Sequence, residues 1–350
     1  MMNFELKDKI KSWGEALGFQ DILISDPNLD SINQRFQESI SKNHHADMEY
    51  LIKNSLLRTN PSKMVEDTKS IIIARMDYLP PNPKIIETLR DKNKAYIARY
   101  ALGRDYHRLI RKRLKKLAQQ IEAVHGPFNW RPFADSAPVF EKPLAAKAGI
   151  GWQGKNTLII NRKAGSYFFL GVLYTSLELP FDPPVVDHCG SCTACLDICP
   201  TQAFPAPYQL DSRRCISYWT IENKGSIPVE IREKMGNRVF GCDDCQLICP
   251  WNKFAKAATE QAFLPRHQLD TSTLIDLFSW DESTYMKRTE GSALRRTGYQ
   301  SWLRNLAVGL GNAPPSDEKR HALLAQKTQA SELVKEHIDW ALNTTFVSSR

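Results

Sequence analysis

All eight cysteines of the 350-residue chain fall within one 61-residue window, and their spacing is typical of a ferredoxin that carries two iron–sulfur clusters. The first run reads C-x2-C-x2-C-x3-C-P and ends at Pro200, and the second closes with C-x2-C-x3-C-P at Pro250 after a long insert. Eight thiolates are the full ligand set of two [4Fe–4S] clusters, and in the bacterial pattern the fourth cysteine of each run binds the other cluster. We therefore predict two crossed sets: Cys189, Cys192, Cys195 and Cys249 on cluster 1, and Cys199, Cys215, Cys242 and Cys245 on cluster 2.

Other uses of the cysteines fit the pattern less well. Zinc sites favour paired C-x2-C knuckles or added histidines, whereas this pattern places three cysteines in an x2, x2, x3 rhythm that proline closes. Disulfides require an oxidising compartment, and the start of the chain reads as an amphipathic helix with Lys7, Lys9 and Lys11 rather than as an export signal. We expect a cytoplasmic protein with no membrane span, because no apolar run approaches the length needed to cross a bilayer.

The formal net charge is +8, and two oxidised clusters with their eight thiolates would lower it to about +4. Basic residues concentrate between Arg99 and Lys116, which hold only one acid between them. Apolar residues recur there at helical spacing: Tyr106, Ile110, Leu114, Leu117 and Ile121. The exposed sides of this helix, with Arg108 and Arg111, are either a solvated surface or a contact for a phosphate backbone.

The first 180 residues read as an α/β unit. A helix near Leu6–Leu17 leads into a strand at Asp21–Ile24, and Ser70–Arg75 is a second strand. Thr157–Ile160 and Tyr167–Tyr174 read as a hairpin. Prolines at 180, 183 and 184 mark a linker into a cluster segment over 181–255, and residues 256–350 read as largely helical. Tyr299–Leu310 and Lys319–Leu342 predict two antiparallel helices that dock on the rest of the protein.

A second candidate for chemistry is Asp135, in the unusual stretch Phe133–Asn156. It precedes Ser136 and Pro138, where we expect a helix to begin near Val139. Asp135 is then either the N-cap of that helix or a general acid, since a carboxyl group in a water-poor pocket has a raised pKa and holds its proton near neutrality.

The chain resembles epoxyqueuosine reductases in several long motifs. These are Asp-Ser-Ala-Pro-Val-Phe-Glu-Lys from Asp135, Ala-Gly-Ile-Gly-Trp-Gln-Gly-Lys-Asn-Thr-Leu up to Leu158, Gly-Ser-Tyr-Phe-Phe-Leu-Gly-Val-Leu up to Leu173, and Leu-Leu-Arg-Thr-Asn-Pro up to Pro61, together with the cysteine window. The resemblance covers about residues 1–310 and implies three parts: a nitroreductase-like cobalamin-binding domain over 1–180, a bacterial-type ferredoxin domain over 181–255, and HEAT-like helices over 256–350.

The resemblance also implies the reaction. The family removes the epoxide oxygen of epoxyqueuosine at the wobble position of tRNA, which yields queuosine, and uses cobalamin with two [4Fe–4S] clusters. The matching position makes Asp135 the proton donor. Family positions that would line the corrinoid are Arg58, Asp135, Lys155, Asn156, Ile159, Leu170, Ser217, Cys242 and Asp243. Asp105-Tyr-His107 fails the D-x-H-x-x-G motif of proteins that ligate cobalt with histidine, so a base-off cobalamin is expected.

The insert at 216–241 lies between predicted cluster ligands, so we expect it to sit over the site. Exposed bases of an anticodon loop stack on aromatic side chains and its phosphates meet lysine and arginine. We therefore predict tRNA contacts by Trp219, Lys224, Arg232, Lys234 and Arg238, alongside Arg108 and Arg111. A plain surface loop is the alternative.

Two other functions use the same cysteines. A reductive dehalogenase would share the cobalt and the clusters but has no need for a basic helix. A ferredoxin-type electron carrier explains the cysteines but leaves the stretch from Asp135 to Asn156 without a purpose. For the reductase we expect a monomer that takes electrons from an external low-potential donor, whereas the carrier would dock on a partner protein.

Overall fold

The computed structural model describes residues 2–346. Met1, at the start of the first predicted domain, and residues 347–350, at the end of the last one, lie outside the described part. The strands within it are β1 (Asp21–Ser25), β2 (Ser70–Asp77), β3 (Tyr96–Ile97), β4 (Trp130–Phe133), β5 (Trp152–Gln153), β6 (Ile159–Ile160), β7 (Phe168–Thr175) and β8 (Arg238–Phe240).

The helices are α1 (Met2–Ala16), α2 (Asp30–Ser41), α3 (Tyr50–Lys53), α4 (Ser55–Thr59), α5 (Ile85–Arg90), α6 (Tyr106–His125), α7 (Glu141–Lys147), α8 (Ala194–Asp197), α9 (Val229–Met235), α10 (Asp244–Leu247), α11 (Leu274–Phe278), α12 (Glu282–Arg288), α13 (Tyr299–Asn312), α14 (Asp317–Lys327) and α15 (Glu332–Phe346). Within residues 2–346, no helix has both the length and the apolar character that crossing a bilayer requires.

An antiparallel sheet of four strands, in the order β1-β2-β7-β4, organises the first half of the chain. Both faces are covered, so β2 reads as a continuous apolar run. Ile72 and Ala74 point to one face, where they share a core with α1 and α6, while Ile71 and Ile73 share a core with α7 on the other face. The structure confirms both predicted strands, Asp21–Ile24 and Ser70–Arg75, as parts of β1 and β2.

The basic helix forms as its spacing predicts. All five apolar residues that recur from Tyr106 to Ile121 are buried in α6 against the sheet. Arg108 and Arg111 are exposed on the other side. Asp105 caps the helix by accepting a hydrogen bond of 2.9 Å from the backbone N–H of His107. The cap fixes both residues at the N-terminus of α6.

The predicted hairpin between Thr157–Ile160 and Tyr167–Tyr174 is wrong. β6 pairs with β5, whereas β7 lies between β2 and β4 in the large sheet. The turn between them closes with only an isolated bridge, Asn161 to Gly165. The eight residues of β7 pair with eight residues of β2 and four of β4, whereas β6 has only two residues with which to pair.

A second core joins distant parts of the chain. The two-stranded parallel sheet of β3 and β8 packs with α11, α13 and α15, so Ile97, Phe240, Leu306 and Ile338 belong to one cluster. The C-terminal helices dock on the rest of the protein as predicted. However, the stretch Lys319–Leu342 is two helices, α14 and α15, because the chain turns at residues 328–331 and returns α15 along α13.

Candidate functional site

The eight cysteines form no disulfide. Burial and the neighbouring Cys189, Cys249 and Cys192 together raise the pKa of Cys195 to about 11. Burial also raises the pKa of Cys245, with further contributions from Cys215, from Cys199 and from Cys195 of the other predicted set, and Cys215 raises the pKa of Cys242. Most of these neighbours belong to one predicted set, but Cys195 and Cys245 act across the two sets, so the crossed assignment stays a prediction. Four thiols facing one another are the donor set that a [4Fe–4S] cluster requires.

The described residues include no group of three or more His, Cys, Asp or Glu side chains close enough to hold a single metal ion. One thiol of each set instead accepts a hydrogen bond from a nearby N–H group. The Trp152 indole N–H points at Cys189 Sγ from 3.4 Å, and the backbone N–H of Ala203 lies 3.3 Å from Cys199 Sγ. Hydrogen bonds of this kind tune the reduction potential of a bound cluster.

Beside the cysteine window lies a cavity of about 1460 Å³. Its walls are α2, α3 and α4, the loop before α7, α7 itself, and residues 207–212 of the cysteine window. The wall is anchored to the window, since Tyr218 donates a hydrogen bond of 2.6 Å to the Asp47 carboxylate and the Ser212 N–H donates to His44 O at 2.9 Å. The volume exceeds the 300–1,000 Å³ usual for pockets of small ligands, so the cavity accommodates a ligand as large as a macrocycle.

Asp135 lines this cavity and does not cap a helix. α7 begins only at Glu141, and Asp135 has the left-handed backbone conformation, with φ of 53°. Its carboxylate is 3.1 Å from Nε2 of His107, whose Nδ1 lies 2.5 Å from Oδ1 of Asp105. The backbone N–H of Asp135 donates to the carboxylate of Glu141. Two carboxylates thus hold the His107 ring, and a third lies beside Asp135.

The pKa shifts in this group disagree with the prediction that the Asp135 carboxyl is neutral. Burial alone would raise the pKa of Asp135, but its hydrogen bond to His107 and the positive charge there lower it below the ordinary value. Burial would lower the pKa of His107, yet Asp105 and Asp135 raise it to about 9. Burial and the charge of Asp135 raise the pKa of Glu141 to about 8. At neutral pH the protons therefore reside on His107 and Glu141.

Lys142 connects this group with the second cysteine set. Burial lowers the pKa of Lys142, while the charges of Asp135, Cys245, Glu141 and Cys215 raise it. Lys142 lines the cavity, so charges of the carboxyl group and of two thiols of the second set act on one side chain there. Cys192 of the first set is exposed to solvent.

The predicted corrinoid residues divide into two groups. Arg58 and Asp135 line the cavity, and Arg58 Nε is buried without a hydrogen-bond partner while its Nη1 donates to Val139 O at 3.1 Å. An unpartnered buried donor on the wall is a group that a polar ligand would satisfy. Seven predicted residues do not line the cavity: Lys155, Asn156, Ile159, Leu170, Ser217, Cys242 and Asp243.

Three of those seven have contacts within the protein, and their role towards a corrinoid stays a prediction. Lys155 Nζ donates to the carbonyls of Gly190 and Cys192 at 2.7 and 2.9 Å. Asn156 Nδ2 donates to Cys245 O at 2.9 Å. The Asp243 carboxylate accepts from the Tyr96 hydroxyl and from the backbone N–H of Arg99, both at 2.8 Å. All three shape the cysteine loops.

Most basic residues of the insert form hydrogen bonds or ion pairs within the protein, and the tRNA contacts predicted for them stay a prediction. Lys224 Nζ donates to three carbonyls, those of Ile221, Arg296 and Thr297. Arg232 is buried and donates to Ile227 O and Ser226 Oγ, with Glu336 as its ion-pair partner.

The remaining predicted contacts differ among themselves. Arg238 pairs with Asp244 at 2.7 Å, and the Trp219 indole N–H donates to Arg213 O at 2.8 Å. Lys234, Arg108 and Arg111 are exposed.

Sequence reasoning missed several residues of the cavity. In the sequence, His107 is notable only as part of an incomplete cobalt-ligand motif. The sequence analysis assigns no site role to Glu141, Lys142, Glu222 and Arg296. Glu141 and Lys142 stand within the motif that begins at Asp135, so their proximity was a usable signal. Glu222 and Arg296 are far apart in sequence, and no spacing could have joined them.

Comparison with known proteins gives the same family over the whole chain. Residues 58–136 match the family model "Epoxyqueuosine reductase QueG, DUF1730", and residues 188–252 match a "4Fe-4S double cluster binding domain". The epoxyqueuosine reductase of Pseudomonas aeruginosa is 55% identical over 338 residues, which are 96% of this chain and 94% of that protein.

Solved structures of epoxyqueuosine reductases have the same fold. One, with an epoxyqueuosine-modified tRNA-Tyr stem loop, superposes with a TM-score of 0.87 at 25% identity, covering 97% of this chain and 90% of the other. Another, from Bacillus subtilis, has its catalytic aspartate loop swung out of the active site and a TM-score of 0.85 at 25% identity, with the same coverage. The chain therefore belongs to the epoxyqueuosine reductases, oxidoreductases that act on tRNA, and contains their 4Fe-4S double-cluster domain.

Proposed function

We propose that this chain removes the epoxide oxygen of epoxyqueuosine at the wobble position of tRNA, with cobalamin in the cavity and Asp135 as the proton donor. The observation that carries the proposal is the position of Asp135, paired with His107, in the wall of a large cavity that residues 207–212 of the cysteine window also line. A ferredoxin-type carrier would need the cysteines but not this cavity. The nitroreductase-like and HEAT-like descriptions of the outer domains, and their boundaries at 180 and 255, belong to the same proposal.

The cavity suits a base-off corrinoid. Arg58 offers an unsatisfied donor, and Asp135 faces the same space. Both ring nitrogens of His107 are engaged by carboxylates, so neither is free to ligate a metal. When bound, reduced cobalamin supplies electrons to the substrate at low potential. Lys155, Asn156, Ile159, Leu170, Ser217, Cys242 and Asp243 would then act on the cofactor only through the elements they hold in place.

The proposed electron path follows the exposure of the thiols. Cluster 1 would lie on Cys189, Cys192, Cys195 and Cys249, where Cys192 is exposed, and would receive electrons from an external low-potential donor. Cluster 2 would lie on Cys199, Cys215, Cys242 and Cys245, next to Lys142 and the cavity. Crossed ligation keeps the two clusters close together.

The chain's own residues supply the protons. Deoxygenation of an epoxide takes two electrons and two protons, breaks both C–O bonds, and gives an alkene and water. Asp135 faces the cavity. His107, its hydrogen-bond partner, has a pKa raised to about 9 and is therefore protonated at neutral pH. As negative charge develops on the substrate oxygen, the His107 proton moves across their hydrogen bond to Asp135, and Asp135 donates it to that oxygen. Glu141, whose pKa is raised to about 8, is the nearest further acid for the second proton.

Two features support tRNA as the substrate. A relative with the same fold has been solved with an epoxyqueuosine-modified stem loop. In this chain, α6 begins at the Asp135–His107 pair and carries Arg108 and Arg111 exposed on its first turns, and Lys234 is exposed on the insert. Cations there can follow an RNA backbone that leads to the cavity. The other basic residues of the insert stabilise the fold instead.

The test is an anaerobic assay on an anticodon stem-loop bearing epoxyqueuosine, with added cobalamin and a strong reductant. We expect wild-type protein to form queuosine, and Asp135→Asn to bind clusters and cobalamin but to lose at least about a hundredfold in turnover. Asp8→Asn, an exposed aspartate on α1, is the control and should match wild type. Wild-type rates in Asp135→Asn would remove Asp135 from the reaction.

A further inference from the structure

Three side chains from separate parts of the chain meet on the wall of the cavity that holds Asp135. They are Tyr50 of α3, Glu222 at the end of the π-helix Tyr218–Glu222, and Arg296 at the end of the 3-10 helix Ala293–Arg296. The Arg296 guanidinium contacts both oxygens of the Glu222 carboxylate, at 2.7 and 2.9 Å. The proton chemistry above uses none of these three residues.

Hydrogen bonds to the neighbouring backbone fix the Glu222–Arg296 pair in place. Lys224 Nζ donates to the carbonyl of Arg296 at 2.8 Å and to that of Thr297 at 2.9 Å, which ties the insert to the Arg296 segment. The buried guanidinium of Arg304 donates to the carbonyls of Trp219 and Gly225 on either side of Glu222. A site whose backbone is fixed on both sides does not need to be ordered when a ligand binds.

The pair also remains within reach of a ligand. The Arg296 side chain is 43% exposed and that of Glu222 is 23% exposed. Tyr50 is 41% exposed, so its ring is accessible. Burial raises the pKa of Tyr50, and the charges of Glu222, Arg296 and Asp135 all act on it. The three side chains and the proposed proton donor therefore share one electrostatic neighbourhood.

The hydrogen-bonding pattern of the pair is the complement of one nucleobase edge. A carboxylate offers about four lone-pair sites, so Glu222 can keep Arg296 and still accept two further N–H groups, while Arg296 has donors to spare. The Watson–Crick edge of guanine presents two donors, N1–H and the N2 amino group, next to the O6 acceptor. Epoxyqueuosine is a 7-deazaguanine nucleoside and has this same edge.

We infer that Glu222 and Arg296 form a subsite that reads the Watson–Crick edge of a guanine-type base, with Glu222 accepting from N1–H and N2–H and Arg296 donating to O6. Tyr50 provides a face on which the base, splayed out of the anticodon loop, can stack. The inference rests on the proposed function, since it requires that the base enters the cavity with its modification directed to Asp135. It assigns recognition of the base to an acidic residue of the insert.

Binding of stem-loops that differ only at position 34 tests the subsite. Full-length protein, purified without oxygen and supplied with cobalamin, is titrated into labelled stem-loops with guanosine or inosine at position 34, and binding is followed by fluorescence anisotropy. Inosine lacks the N2 amino group, so we expect wild type to bind the guanosine stem-loop about tenfold more tightly. Glu222→Gln should bring that ratio to about one, because an amide has one acceptor oxygen. Glu233→Gln, an exposed acid of the same insert, should keep the wild-type ratio.

Tyr50 gives an independent arm that does not disturb the ion pair. Tyr50→Ala should weaken binding of both stem-loops by about tenfold without changing their ratio, and Tyr50→Phe should retain wild-type affinity. The far-ultraviolet circular dichroism and iron content of each variant report whether it is folded.

Three outcomes would overturn the inference. Equal binding of the two stem-loops by wild type contradicts reading of the N2 edge. An unchanged ratio in folded Glu222→Gln contradicts the role of Glu222. A wild type that binds neither stem-loop contradicts the proposed function itself, and the subsite with it.

Discussion

His107 should make the stability of the protein fall as the pH rises above neutrality. Asp105 and Asp135 raise its pKa from 6.5 to about 9, and its side chain is only 15% exposed. A group whose pKa is raised in the folded state contributes its full stabilisation below the unfolded value, and loses it as the pH rises through the folded value. The rise corresponds to about 3 kcal/mol, which is an upper bound because His107 shares it with two carboxylates.

His107→Gln is the perturbation that tests this reasoning. At pH 6 we expect the variant to be about 2–3 kcal/mol less stable than wild type, and above pH 9 the difference should shrink towards zero, since the imidazole there is neutral in both states. The free energy of unfolding is measured by anaerobic urea denaturation of both proteins at pH 6, 7.5 and 9.5. Asp8→Asn serves as the control because its side chain is exposed.

The two carboxylate partners of His107 determine how the stability changes with pH on the acid side of neutrality. The pKa of Asp135 is lowered, chiefly by its hydrogen bond to His107 acting against burial, and that of Asp105 is lowered as well. Stability from these groups is present above their unfolded pKa near 4 and is lost as the pH falls through the folded values. A stability difference between wild type and His107→Gln that stays constant from pH 6 to 9.5 would refute the protonated His107 between two carboxylates.

Three further predictions concern the clusters, the fold and the tRNA surface. Cys249→Ser should deplete the cluster held by the first run and Cys199→Ser the one held by the second, so each protein purified without air should lose about half its iron and sulfide; a loss assigned to the other cluster by electron paramagnetic resonance would contradict crossed ligation. Arg304→Met should destabilise the protein by about 3–5 kcal/mol, because it removes the buried guanidinium that binds the carbonyls of Trp219, Asn223 and Gly225, as measured by urea denaturation against an exposed Arg90→Met control. Arg108→Ala with Arg111→Ala should reduce the slope of log affinity for a stem-loop against log salt by about 1–2 without changing discrimination at position 34, and an unchanged slope would remove α6 from the tRNA surface.

Local patterns carried the parts of the fold that the sequence predicts well. The cysteine spacing predicts a two-cluster domain because a regular run of ligands is a local pattern, and residues 188–252 match a double-cluster domain, while the crossed division of the thiols stays a prediction. The apolar repeat from Tyr106 to Ile121 predicts the buried face of α6 because helical periodicity is set by the backbone alone. The strands β1 and β2 follow from continuous apolar runs bounded by polar residues.

Non-local choices could not be predicted. β7 reads as half of a hairpin, yet its partners are β2, which lies before it by about a hundred residues, and β4. Lys224 and Arg232 look like phosphate ligands by composition, but the carbonyls and the Glu336 carboxylate that engage them come from segments the insert meets only in the folded state. The Glu222–Arg296 pair is likewise invisible in the sequence, because 74 positions separate its members.

The sheet of β3 and β8 limits how this enzyme can be divided or recombined. β3 belongs to the first half of the chain and β8 lies between Cys215 and Cys242, while Phe263 completes the core around α6. A fragment that stops near residue 180 would lack one of these strands and a wall of its interior, and an excised cysteine window would lose the backbone and hydroxyl donors of Tyr96 and Arg99 that hold Asp243. Transplanting the cysteine window into another reductase would therefore require moving the segments that pack against it as well.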